Sequence, residues 1–458
     1  MLKNIVNGFK GIVEVASANI NPYNVQVIKL EDYRSFLVQS QDGVLILYKR
    51  HGCYECVLTS ICATQKSYSI FRLSGDGHAL AQFKIYSEKL NPIASASSSI
   101  YQEDILKKVC DCIQQHQTWT PAHVAAFVGL YECFKQPEFV SNLNSTCGTS
   151  NSVPLMAAVL GKQLRCLQEL LNAGAVLAQY DKAGVINWLN NKGQTALYLA
   201  CEKNESDAVE ALLKAKADPN VTACGRYPIH IAVKTENMKS VKLILERFKD
   251  QAHALDEKNG GTPVHWARNK EMIELLYRMG SNLNLQSKTG HTPLHIMLEK
   301  SRRDCTMELL CFGADSCISD YDGNTPLHHA VMKDNVEMTR VFVVFGADVD
   351  MLNNKGQSAR HIASTTKSKN GAKGCCKGCM TEGTWNGTDD PAMNTVLETD
   401  KDAYKVLCLD GGGIRGLVLV QMLIAIEKYA GKPIVKCFDW IAGTSTGGLL
   451  ALGIARGK

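Results

Sequence analysis

The spacing of apolar residues divides the chain into distinct regimes. Over the first hundred residues, apolar and β-branched positions come in short runs, NVQVIKL, RSFLVQS and GVLILYKR, separated by turn-forming residues. Such alternation predicts strands and a small β-rich module over 1–116, with a helix near Gln102 to Gln115. From 117 to 363 the apolar residues fall into short helical segments such as SVKLILERF and EMTRVFVVF, each closed by a Gly or a polar turn. Residues 364–403 are rich in Gly, Lys, Thr and Asp with little periodicity, which predicts a flexible linker. A second compact pattern begins at Tyr404, where two apolar strands each run into a Gly-rich turn and a helical stretch.

The helical region is self-similar. TPAHVAA at 120, VPLMAA at 153, TALYLA at 195, YPIHIA at 227, TPVHWA at 262, TPLHIM at 292, TPLHHA at 325 and SARHIA at 358 begin 33, 42, 32, 35, 30, 33 and 33 residues apart. Thr can cap a helix whose first position suits Pro. The preceding Gly193, Gly225, Gly261, Gly290, Gly323 and Gly356 permit a tight turn. This period and core resemble the ankyrin repeat, in about eight copies, and imply an α-helical ankyrin solenoid. Stacked units bury a shared core and leave an exposed surface for protein partners. The 42-residue spacing places an insertion around Tyr180 to Asn190. His123, His230, His265, His295, His328 and His361 share one slot of the repeat, which predicts a repeated structural hydrogen bond rather than metal ligation. Trp266 and the FVVFGAD run sit at helix-face spacing and read as core.

Composition narrows the function. With 458 residues, 45% hydrophobic and 21% charged, the chain is long enough for two or three globular domains. A formal charge of +5 and the lack of a basic run interleaved with aromatics exclude nucleic acid as the expected partner. The N-terminus has no continuous signal-peptide core, and no apolar stretch reaches membrane-spanning length. A cytoplasmic protein with reduced cysteines is expected. Cys53 and Cys56 read as structural. Cys375, Cys376 and Cys379 lack a nearby fourth zinc ligand, so an inert linker is favoured over lipidation or oxidation.

The chemistry lies after Tyr404. Gly443-Thr444-Ser445-Thr446-Gly447 follows an apolar strand, and small residues on both sides of Ser445 allow the sharp turn that presents a nucleophilic hydroxyl. Upstream, the turn Gly411, Gly412, Gly413, Ile414, Arg415, Gly416 opens a helix and offers backbone N–H groups suited to an oxyanion. Gly411, Gly413 and Gly416 also fit a dinucleotide fingerprint, but the second strand runs into Gly443 and Ser445 instead of an acidic residue. The two turns together resemble the patatin-like phospholipase family. With ankyrin repeats in front, the chain resembles calcium-independent group VI phospholipase A2.

That resemblance implies the start of an α/β patatin-like domain over 404–458. Ser445 would attack a fatty-acyl ester of a glycerophospholipid at a membrane surface, with Gly411, Gly412 and Gly413 as oxyanion donors and Arg415 fixing the loop. No metal or cofactor is implied. The family activates its serine with an Asp from a later Asp-Gly motif, and the 13 residues after Ser445 contain no Asp. Asp410 and Asp439 read as turn-capping and strand carboxylates, not as the base. A serine hydroxyl without a base is a weak nucleophile. A truncated chain, inactive alone, is therefore expected. The alternative is an ankyrin interaction protein that forms homo- or hetero-oligomers with the full-length enzyme and modulates it.

Overall fold

The alternating N-terminal segments close into one antiparallel sheet, and the repetitive region folds as short helix pairs. These elements are seen in a computed structural model that describes residues 22–50, 52–60, 66–148, 150–177, 185–365, 406–411, 423, 427 and 440–444. The chain divides into two compact units, Met1–Pro228 and Ile229–Lys458.

In the first unit, β1 (Gln26–Ile28), β2 (Leu37–Asp42), β3 (Leu45–Arg50), β4 (Cys53–Leu58) and β5 (Ser67–Ser74) form a sheet ordered β1-β5-β4-β3-β2. The central β4 is buried on both faces: Tyr54, Cys56 and Leu58 alternate with Glu55 and Val57, all essentially inaccessible. β2 is an edge strand, so Leu37 and Val38 of the RSFLVQS run stay exposed. Cys53 and Cys56 are three apart in a strand and point to opposite faces, Cys53 exposed and Cys56 buried, so they cannot chelate one ion. Burial pushes the Cys56 thiol well above its ordinary pKa.

Two helices pack beside the sheet, α1 (Asp76–Ala96) and α2 (Glu103–Gln115). The β-rich expectation foresaw α2 but not the 21-residue α1. Its buried Ala79, Phe83, Tyr86, Leu90 and Ile93 recur at intervals of four and three, which is a helical stripe. Pro92 interrupts the written pattern but not the helix. Phe71 of β5 meets Tyr86 of α1 with ring centroids 5.4 Å apart. Lys89 is buried and donates to the Gln117 carbonyl at 2.5 Å, capping the chain just beyond α2.

The opposite face of the sheet carries Tyr33, Tyr48 and Val57. Buried there, Glu55 accepts hydrogen bonds from the Tyr33 hydroxyl at 2.8 Å and the Ser69 hydroxyl at 2.5 Å, and pairs with Arg72 at 2.9 Å. Burial and the Glu55 carboxylate push the Tyr33 phenol up to about 12.

In the second unit the repeats from Thr262 onward start at a capping Thr or Ser. Thr262, Thr292 and Thr325 cap Pro263–Trp266, Pro293–Glu299 and Pro326–Met332. The histidine three residues on completes the cap, because its Nδ1 accepts from the backbone N–H of the same Thr at 3.0, 3.1 and 3.2 Å. Its Nε2–H donates to the following repeat: His265 to the His291 carbonyl at 3.0 Å, His295 to Asn324 at 3.1 Å and His328 to Gln357 at 3.1 Å. His230 donates likewise to Gly261 at 3.0 Å, and in the first unit His123 to Ser152 at 2.8 Å. At His265, His295 and His328 an N–H on one ring nitrogen and a carbonyl on the other leave one compatible form, the neutral Nε2–H tautomer. Burial pushes His123, His265 and His295 down to about 4.

The turns before the caps need left-handed backbone, supplied by Gly290 at φ +78° and Gly323 at φ +79°. At Gly290 a Cβ would also lie 2.5 Å from the Tyr321 backbone nitrogen of the next turn. One turn departs from the expectation: the left-handed residue is Gly260, at φ +66°, and not Gly261. The Asp256 turn is one residue longer than its counterparts, and Gly261, just before the cap, gives its N–H to the Asp256 carboxylate at 2.8 Å, as Asn324 does to Asp320. Trp266, expected in the core, is half-buried and donates its indole N–H to the same carboxylate at 3.2 Å.

Two outcomes are expected. Glu55→Ala should lower stability by about 2 kcal/mol in urea unfolding, since it strands buried donors, and Glu55→Gln should cost less; equal losses would show that packing alone matters there. The buried neutral histidines gain no proton on folding until about pH 4, whereas the unfolded chain protonates its histidines near pH 6.5. The histidine contribution to stability should therefore be constant above pH 6.5 and fall as pH drops from 6.5 towards 4. A melting temperature constant across that window would contradict the burial of these rings in the neutral form.

Candidate active site

Val406–Gly411 (β6) and Trp440–Thr444 (β7) are the described strands of the C-terminal region, and they pair in parallel. The register runs from Val406 opposite Trp440 to Leu409 opposite Gly443 and Asp410 opposite Thr444. A parallel pair needs a crossover of a dozen residues or more, and 28 separate Gly411 from Trp440. Within that crossover Leu423 and Glu427 have helical backbone, and Leu423 is buried.

The register has a direct consequence for the chemistry. Both strands end at the same edge, one strand spacing apart, roughly 4.8 Å. The Gly-rich turn begins at Gly411, at the end of β6, and Ser445 follows Thr444, the last residue of β7. In open α/β sheets ligands bind at the carboxyl ends of adjacent parallel strands. Gly411, Gly443 and Thr444 have described backbone at that edge. Gly412, Gly413, Arg415, Gly416, Ser445, Thr446, Gly447 and Asp439 lie outside the described residues, as do Cys375, Cys376 and Cys379.

Elsewhere, the motif histidines engage both ring nitrogens and offer no free ligand atom at His265, His295 and His328. A different group was not foreseen from the sequence: His291, Asp320 and His329 bring one potential ligand atom each within 4.8 Å of one another. Burial opposes ionisation of Asp320, but hydrogen bonds from His329 and the Asn324 N–H outweigh it and hold the carboxyl below its ordinary range. Tyr321, Leu352 and Leu255 stand exposed at or beside the inter-repeat turns. Among the described residues, no helix is long and apolar enough to cross a membrane.

Comparison with known proteins agrees with this architecture. Ankyrin repeats match at 133–223, 217–287, 267–351 and 300–380, and a patatin-like phospholipase domain matches at 407–458. The chain belongs to the ankyrin-repeat family. More particularly, it joins those repeats to a patatin-like segment and is related to the calcium-independent phospholipases A2. The 85/88 kDa calcium-independent phospholipases A2 of Mus musculus and Rattus norvegicus are each 31% identical over 99% of this chain and 65% of their own length. The chain thus spans about 65% of these relatives. Phospholipase A I of Arabidopsis thaliana is 51% identical over 57 residues, 12% of this chain and 4% of that protein.

Proposed function

We propose that the C-terminal segment supplies the nucleophile and oxyanion turn of a calcium-independent phospholipase A2, with Ser445 attacking the fatty-acyl ester of a glycerophospholipid. The observation that carries this reading is the in-register parallel pairing of β6 and β7, which supports bringing the GGGIRG turn and the GTSTG turn to one edge. The Ser445 oxygen adds to the acyl carbonyl, and the negative oxygen that forms is met by N–H groups of Gly411, Gly412 and Gly413. Arg415 holds the turn. Collapse of the intermediate expels the lysophospholipid alkoxide, which takes up a proton, and water then releases the fatty acid from the serine.

The proton on Ser445 needs an acceptor, and residues 446–458 contain no Asp or Glu. A polypeptide limited to residues 1–458 should lack turnover. The repeats provide the second part of the proposal: exposed Tyr321, Leu352 and Leu255 favour docking of protein partners, a full-length hydrolase of the same family among them. The twelve cysteines whose side chains are described are free thiols, which favours a reducing cytoplasm, with lipid met at a membrane surface.

Two proteins test this. Residues 1–458 should hydrolyse radiolabelled phosphatidylcholine at background rate without calcium. A chimera continued with further patatin-like sequence from the mouse relative should turn over the lipid without calcium and lose at least roughly 10³-fold on Ser445→Ala. Ser445-dependent turnover by residues 1–458 would remove the need for an added acid. A chimera insensitive to Ser445→Ala would remove the nucleophile.

A further inference from the structure

We propose that His291, Asp320 and His329 form a binding site for a divalent transition-metal ion of the Zn²⁺ class, clasping two successive ankyrin repeats. His291 immediately precedes the cap Thr292 of one repeat. Asp320 belongs to the next turn, and His329 to the helix Pro326–Met332 that this turn leads into. The Asp320 Oδ2 atom lies 2.7 Å from His329 Nε2 and 3.6 Å from His291 Nε2. Two imidazoles and one carboxylate are the donor set of three-ligand zinc sites, which keep a fourth position for water. The carboxylate is buried and both imidazoles are half-buried, so the group is rooted in the fold yet open on one side.

The surroundings hold these atoms in place. Asp320 Oδ1 accepts from the Asp322 N–H at 3.0 Å and the Asn324 N–H at 2.8 Å, which aims Oδ2 at the histidines. The His291 carbonyl accepts from the Ser287 N–H at 2.8 Å and from His265 Nε2 at 3.0 Å. The His295 ring stacks on His291 at 5.5 Å and meets His329 edge-on at 5.3 Å, fixing both ring planes. Metal–ligand distances of about 2.0–2.2 Å put tetrahedral ligand atoms roughly 3.3 Å apart. His291 already stands near that separation from Asp320, and the His329 contact must widen by roughly half an ångström. The His329 Nε2 proton moves to Nδ1 or to solvent as the nitrogen takes up the metal.

The same molecule shows how these slots close without metal. One repeat on, the slots of His291, Asp320 and His329 hold Asn324, Asn353 and Ile362. There the two asparagines join by an amide hydrogen bond of 2.9 Å. A hydrogen bond alone explains His329 and Asp320, but it gives no part to His291, which metal binding does.

The test uses the full chain carrying Cys375→Ser, Cys376→Ser and Cys379→Ser, stripped with chelator and titrated with Co²⁺ as the probe. One equivalent should bind with visible d–d absorption and no thiolate charge-transfer band. His291→Asn and His329→Ile install the residues that the next repeat tolerates, so both should fold. Each should weaken Co²⁺ binding at least roughly tenfold, and Zn²⁺ should raise the melting temperature of the parent but not of either variant. Unchanged Co²⁺ affinity in either variant, or a parent spectrum showing only thiolate ligation, would overturn the proposal.

Discussion

A single proton on each of His265, His295 and His328 ties that repeat to the next. With that proton on Nε2, the ring accepts from the cap of its own helix and donates to a carbonyl of the next repeat, as at His295 between Thr292 and Asn324. Local helix initiation and attachment to the neighbour thus depend on the same tautomer. A repeat in isolation would leave Nε2–H without its carbonyl, which is the polar counterpart of the apolar face that one repeat cannot bury by itself. The turns obey the same neighbour dependence, since Gly290 leaves room for the Tyr321 backbone one repeat later.

Much of this was legible because repetition amplifies weak signals. No single TPLH string would establish a fold, but eight related strings, most of them 30 to 35 residues apart, do, and the histidine slot that six of them share points to a structural role. Where a segment occurs once, the reading was poorer. The stripe of α1 is regular, yet Pro92 and the neighbouring strand runs masked it. Gly261 lies one residue before Thr262, whereas the left-handed glycines of the other turns lie two residues before the start of their helix motif, the place that Gly260 takes here. The His291, Asp320 and His329 group escaped for another reason: each residue is unremarked in its own slot, and only the folding of two repeats against each other makes the three meet.

The patatin-like segment divides differently. Its strands and their order were readable from apolar runs and Gly-rich turns, and the pairing of β6 with β7 agrees with that reading. The motif could not say which strand residues face each other. That comes from hydrogen bonding across the pair, which fixes Asp410 opposite Thr444.

This register makes the site an all-or-none feature of sheet assembly. Side chains alternate faces along a strand, so a slip of β7 by one residue against β6 would carry the segment leading to Ser445 roughly 3.3 Å along the sheet and turn each β7 side chain to the other face. No small adjustment of either turn could repair such an error. The fidelity of strand docking across the 28-residue crossover, more than the chemistry of any one side chain, therefore decides whether the proposed nucleophile and the proposed oxyanion donors share one location.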